Sequence, residues 1–151
     1  MRNISICSAC LAAILLATGC ASAPPHSDFS KSLPAVGPEQ GRIIIYRPWK
    51  FTIVGINPPV ILNGERIGGS LFGEFYYVDR PPGQYEIGMN DIYYKKKLAL
   101  LLEKGQTCYV RLDTSNVSIP VGEVIPTLVE PAVGEKEIQD CKYNSENSPK
   151  P

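Results

Sequence analysis

From Gly41 onward, apolar residues come in short runs separated by turn residues, a spacing that predicts strands rather than helices. Ile43-Ile44-Ile45-Tyr46 is a β-branched run closed by Arg47-Pro48, the pattern of a buried strand. Pro59-Val60-Ile61-Leu62 runs into Asn63-Gly64, two residues that tolerate positive φ and mark a tight hairpin, with Glu65-Arg66-Ile67 as the return arm. Glu74 to Asp79 predicts another strand. In the Arg80-Pro81-Pro82-Gly83 stretch that follows, Pro82 and Gly83 suit the central positions of a type II turn. Gln84 to Asn90 alternates, placing Tyr85, Ile87 and Met89 on one face.

Lys97 to Glu103 and Thr107 to Asp113 flank Lys104-Gly105, which predicts a second hairpin. In its second arm Cys108, Val110 and Leu112 share the apolar face, and Thr107, Tyr109 and Arg111 the other. Val124 to Val129 reads as a last strand, weakened by Pro126. Pro131 to Cys141 suits a short helix with proline in its first turn, although Val133, Ile138 and Cys141 make a poor stripe. The fold class that follows is mainly β: a small antiparallel β-sandwich, immunoglobulin-like, or a small barrel, with a short C-terminal helix.

The first 40 residues have a different texture. Arg2 supplies a charge, Ile4 to Ala17 is uncharged and mostly apolar, and Leu16-Ala17-Thr18-Gly19-Cys20 follows. The apolar stretch falls short of the about 20 residues that a spanning helix needs, and its build is that of a secretory signal. Its end resembles the bacterial lipobox, in which small residues precede a cysteine that is diacylated through sulfur. Leucine usually stands three residues before that cysteine; Ala17 does here. The resemblance implies cleavage before Cys20, lipid attachment at Cys20, and a membrane as partner through the acylated residue. Two or three long acyl chains hold a protein stably, since each buried methylene contributes about 0.8 kcal/mol. Ala21, in place of the aspartate that favours inner-membrane retention in enterobacteria, points to the outer membrane and a periplasm-facing domain. Pro24, Pro25, Pro34 and Pro38 among several serines make the next stretch a tether with a reach of about 25 Å. The expected organisation is therefore a signal over 1–19, a lipidated tether over 20–40, the domain over 41–143 and a disordered tail over 144–151.

Composition narrows the function classes. Lys plus Arg and Asp plus Glu number 15 each, so the formal net charge is zero and no basic face points to a nucleic acid. Lys95-Lys96-Lys97 is read as a solvated loop or strand edge rather than a binding site. Once the leader and Cys20 are set aside, Cys108 and Cys141 remain. An even pair in an exported domain is read as a disulfide, worth about 3 to 4 kcal/mol in the chain-entropy account; two unpaired thiols, one of them buried, are the alternative.

Candidate chemistry is thin. His26 is the only histidine and lies in the tether, which removes serine–histidine and cysteine–histidine pairs from the domain. Two isolated thiols do not make a zinc site. Gly68-Gly69-Ser70 follows a hairpin and reads as a bend, not a phosphate cradle. Glu74 and Asp79 sit at odd spacing on one strand, hence on opposite faces. The sequence therefore predicts no enzyme, no catalytic residue, no metal and no cofactor.

Gly41 to Pro48, the Leu62-Asn63-Gly64-Glu65-Arg66-Ile67-Gly68 turn, and Phe75 to Ile87 around Pro-Pro-Gly-Gln-Tyr resemble an uncharacterised family of bacterial lipoproteins with a domain of unknown function. The same rhythm is similar to PEGA-type surface modules and prealbumin-like sandwiches. The resemblance implies an envelope location and a β-sandwich, and no catalytic residue comes with it.

Two aromatics are candidates for an interaction surface. Trp49 opens the apolar connection Trp49, Phe51, Ile53, Val54 and Ile56, and Tyr76 points opposite to Phe75 and Tyr77. Exposed rings of this kind suit an envelope protein or a glycan as partner; the alternative is that they complete the two sides of the sandwich. The expected role is a non-enzymatic structural or protein-interaction module anchored by lipid, with binding of a small envelope ligand (a glycan or lipid fragment) as the alternative.

Overall fold

The computed structural model describes residues 33–49, 57–90, 95–115 and 123–147. Among the described residues, nine strands run in the order β1 (Gly41–Arg47), β2 (Val60–Leu62), β3 (Glu65–Gly68), β4 (Glu74–Arg80), β5 (Gly83–Met89), β6 (Leu98–Leu102), β7 (Thr107–Thr114), β8 (Val124–Val129) and β9 (Lys142–Tyr143). Helix α1 (Pro131–Glu137) and a 3-10 turn (Ile138–Asp140) precede β9. The strands form two sheets, β8-β7-β1-β4-β9 and β3-β2-β5-β6, so the domain is a β-sandwich.

Alternation decides which side chains meet between the sheets. Ile43 and Ile45 of β1, Val78 of β4, and Cys108, Val110 and Leu112 of β7 face inward. They pack on Val60, Leu62, Ile87, Met89, Leu100 and Leu102 of the second sheet. β1 is buried along its whole length because its other face is covered too. There Ile44, Tyr46, Phe75, Tyr77 and Tyr109 lie under Ile138 and Cys141.

The Asn63-Gly64 hairpin is formed as expected, with φ of 48° and 85°, joining β2 to β3. The second expected hairpin is not a hairpin. Gly105 does turn at positive φ, but β6 and β7 belong to different sheets, so the connection is an arch between layers. The physical reason lies in the apolar faces: Leu98, Leu100 and Leu102 approach the common core from one side, and Cys108, Val110 and Leu112 from the other. Both arms read as amphipathic strands, and alternation is the same whether the partner lies beside a strand or across the core.

The Pro82-Gly83 type II turn is also corrected. Gly83 has no positive φ, begins β5, and carries the chain from one sheet to the other. Nor is the sandwich wholly antiparallel, since β7 runs parallel to β1 and β9 parallel to β4. β8 is an edge strand, the setting that admits Pro126 opposite Leu112.

Contacts extend past both expected boundaries of the domain. Leu33 packs on the outer cluster, and the Asn144 amide donates to the Phe75 carbonyl at 2.8 Å.

Candidate functional site

Five strands present alternate residues on the outer face of the larger sheet, and a polar network grows there at the end where β1 stops. Tyr46, buried on β1, donates its hydroxyl to Glu137 of α1 at 2.7 Å. Arg111 of β7 donates to Glu137 at 2.9 Å and to Asp113 at 3.0 Å. Burial and the carboxylate of Glu137 push the Tyr46 phenol far above its ordinary range. For Arg111, burial opposes the charge, but the hydrogen bonds it donates to Glu137 and the field of Asp113 outweigh it and raise the guanidinium's pKa.

Pro48 ends β1 and throws the next side chain outward. Trp49 is 71% exposed, with Phe72 edge-on at 6.4 Å between ring centroids. Beneath it lies a cleft of about 420 Å³ lined by Pro48, Trp49, Arg111, Glu137, Asp140 and Cys141. That volume is within the range of small-ligand sites, about 300 to 1,000 Å³. One wall comes from the two residues after β1 and from β7, the other from the end of α1, the 3-10 turn and the residue after it.

The helix docks through a residue that no apolar count finds. A Cβ at Gly134 would lie 2.3 Å from Cγ of Tyr109, so only glycine lets α1 approach that ring. Val133, assigned to the stripe on sequence grounds, is 41% exposed instead. Gly134 thereby sets how closely α1 seats on β7.

The thiols are both free and buried, on opposite faces of the same sheet. Cys108 belongs to the core between the sheets and Cys141 to the cluster under the helix, so the expected disulfide is not formed. An even count says nothing about which side of a strand each thiol occupies. Burial, followed by Asp140 and Glu137, pushes the Cys141 thiol up to about 12. Burial likewise raises Cys108. A thiol held protonated at neutral pH is a poor nucleophile, and Cys141 acts as an apolar wall of the cleft.

Of the two aromatic candidates, only Trp49 is at the surface. Tyr76 is 3% exposed and points into the inner core, its ring over Gly68, where a Cβ would lie 2.6 Å from Cζ. It points opposite to Phe75 and Tyr77, as strand alternation predicts, and the second sheet covers it. Phe51, Ile53, Val54 and Ile56 lie outside the described residues.

The carboxylates weighed as an acid–base pair are committed elsewhere. Arg42, 4% exposed, donates to both oxygens of Asp79 at 2.7 and 2.8 Å and stacks 4.1 Å from the Tyr77 ring centre. Glu74 accepts from the side-chain amide of Asn144. Arg47, also buried, donates to the Ser70 carbonyl at 2.7 Å and to Thr114 Oγ1 at 2.8 Å, over the face of Phe72. Lys97 reaches Glu86 at 2.6 Å with both side chains more than half exposed, the solvated edge expected of that run. Among the described residues, no group of three or more His, Cys, Asp or Glu is placed to hold a metal ion.

Sequence reasoning put Arg111 on the correct face but gave it no role, and passed over Glu137 and Asp140. The available signal was a cation among tyrosines on the non-core face of a strand, which needs a carboxylate from whatever covers that face.

A family described as a protein of unknown function, DUF2846, matches residues 38–124, more than half of the chain. The chain belongs to this family. The DUF2846 segment takes in Pro48, Trp49 and Arg111, one wall of the cleft, and stops before Glu137, Asp140 and Cys141. Membership of DUF2846 agrees with the resemblance read from the hairpin and strand motifs, and the description carries no activity. No curated protein matches the chain, and no solved structure does.

Proposed function

We propose that this protein is a lipid-anchored, non-enzymatic interaction module of the bacterial cell envelope, joined to the outer membrane through Cys20 and engaging an envelope protein through Trp49. The observation that carries the reading is an exposed tryptophan over a cleft whose one cation, Arg111, is already paired with a carboxylate of the opposite wall. Arg111 and Glu137 hold each other, and Cys141 keeps its proton. Such a site offers shape, an aromatic anchor and a charged rim, which serve recognition; tryptophan is among the residues that dominate binding energy when a partner covers it. Arg2, the apolar leader and the small residues before Cys20 support the anchor and its periplasm-facing side.

The cleft volume favours a second reading, a small envelope ligand such as a glycan fragment stacked on Trp49. In-cell crosslinking of the tagged full-length protein, followed by membrane isolation and mass spectrometry, separates the two. A partner captured by wild type and lost with Trp49→Ala supports the interaction module. Membrane-bound protein with no partner, but with tryptophan fluorescence that responds to glycan fragments, supports the ligand reading. Wild type as soluble as Cys20→Ser would sink the anchor.

A further inference from the structure

A β-sandwich must manage four strand edges, and here they are not managed alike. β8 carries Pro126, β9 has two residues, and β3 is four residues long and exposes Glu65 and Arg66. Charge, proline and brevity are the usual devices that keep an edge from pairing with another chain. β6 has none of them. It is the aliphatic run Leu98-Ala99-Leu100-Leu101-Leu102, paired with β5 on one side and, among the described residues, with no strand on the other. Leu98, Leu100 and Leu102 face the core, whereas Ala99 and Leu101 face outward, with Leu101 60% exposed.

The residues flanking this edge are complementary to themselves. If two copies of β6 run antiparallel with Leu100 opposite Leu100, all five residues pair, Ala99 meets Leu101, and Lys97 meets Glu103 at both ends. Lys97 and Glu103 have the same strand parity as Ala99 and Leu101 and are exposed; the Lys97 ammonium already reaches Glu86 of its own chain at 2.6 Å, but its three N–H donors let it serve a second carboxylate, so each opposite-charge pair closes over the apolar contact. Moving the register by two residues loses the pairing of Lys97 with Glu103. The chosen register also brings Lys96 opposite Lys104, but each of these already has a carboxylate of its own, Glu123 and Glu39 respectively.

We propose that the free edge of β6 is a self-association surface, and that two copies of this chain join their four-stranded sheets across a two-fold axis, in a register set by Lys97 against Glu103 of the second copy. The joined sheet has the order β3-β2-β5-β6-β6-β5-β2-β3. This inference does not depend on the lipid anchor or on Trp49.

The test is sedimentation equilibrium of the full chain in detergent, with wild type, Lys97→Glu, Glu103→Lys and an equimolar mixture of the two variants. Wild type should dimerise reversibly. Each single variant should dimerise about tenfold more weakly, because both symmetric pairs turn repulsive. The mixture should recover wild-type affinity as a heterodimer, the carboxylates of one variant facing the ammonium groups of the other. Amide exchange at Leu98–Leu102 should slow with protein concentration in wild type and in the mixture only. A wild type that stays monomeric at its highest attainable concentration overturns the proposal, as does a dimer that tolerates both single variants or leaves exchange at β6 unchanged.

Discussion

The two faces of the five-stranded sheet are built by alternate residues of the same strands, yet they are sealed in different ways. The inner face meets a second sheet and closes with aliphatic side chains, among them Ile43, Ile45, Val110 and Leu112. The outer face meets one short helix and a 3-10 turn, with Leu33 packed at the same cluster. So small a cover cannot bury a broad apolar surface, and the face uses tyrosines and paired charges instead. Tyr46, Tyr77 and Tyr109 supply area, while Arg42–Asp79 and Arg111–Glu137 supply direction. A dry face tells the chain how to collapse. A polar one tells a particular cover where to sit, and leaves a cleft at its margin.

The contrast can be broken first at its strongest point. Ile45 is fully buried between the sheets, and Ile45→Ala should cost about 3 to 4 kcal/mol of global stability, read as a lower denaturant midpoint with the slope unchanged. A loss below about 1 kcal/mol would show that the inner face is not the main source of stability.

On the outer face the largest effect should come from Gly134→Leu. Its side chain has no room above Tyr109, and the change should cost about 1 to 3 kcal/mol. The loss should be local: amide protection falls across residues 131–143 while β1 and β7 keep theirs. Equal loss throughout would mean that the two faces unfold as one unit.

The thiols sharpen the same comparison. Neither should react in the native protein at pH 8, and under mild denaturant Cys141 should label before Cys108, since opening the helical cover is a smaller event than parting the sheets. Alkali should act likewise. Burial raises Cys141 from the ordinary value of 9.0 to about 12 in the folded state, so the folded chain holds this proton more tightly than the unfolded one. The stability this confers is complete below pH 9 and is lost as pH rises toward 12. Cys141→Ala should flatten part of that decline, measured as denaturant midpoint against pH. Labelling of Cys108 ahead of Cys141 would reverse the ranking of the faces.

The smallest effect on stability belongs to Trp49. At 71% exposure, Trp49→Ala should change stability by less than about 0.5 kcal/mol while abolishing capture of a partner. A cost of several kcal/mol would make Trp49 a packing residue of the cleft wall instead.

Much of this was legible along the chain, for definite reasons. β1, β4, β5 and β7 are amphipathic or apolar at period two, and that period fixes which residues share a face before any partner is known. Asn63-Gly64 made its hairpin because both positive φ values are local properties of those residues. Lys104-Gly105 turned as its glycine permits, yet the turn led to the other sheet. Tyr76 had the correct parity and the wrong neighbour: alternation separated it from Phe75 and Tyr77 but said nothing about what lay opposite. Within the cleft, Trp49 was named from sequence, whereas Glu137 and Asp140 were not, because they reach Arg111 and Trp49 from segments distant in the chain.

Taken by itself, the sequence determined most of the strands, their faces, the Asn63-Gly64 hairpin and membership of a β-rich class. These follow from interactions within a few residues and from period-two burial. Tertiary structure alone decided that β6 and β7 part company between sheets, that Cys108 and Cys141 lie on opposite sides of one sheet, that Tyr76 is covered, and that Gly134 lets a helix close over Tyr109. Each of those depends on which surface arrives from far along the chain, and side-chain alternation carries no information about its arrival.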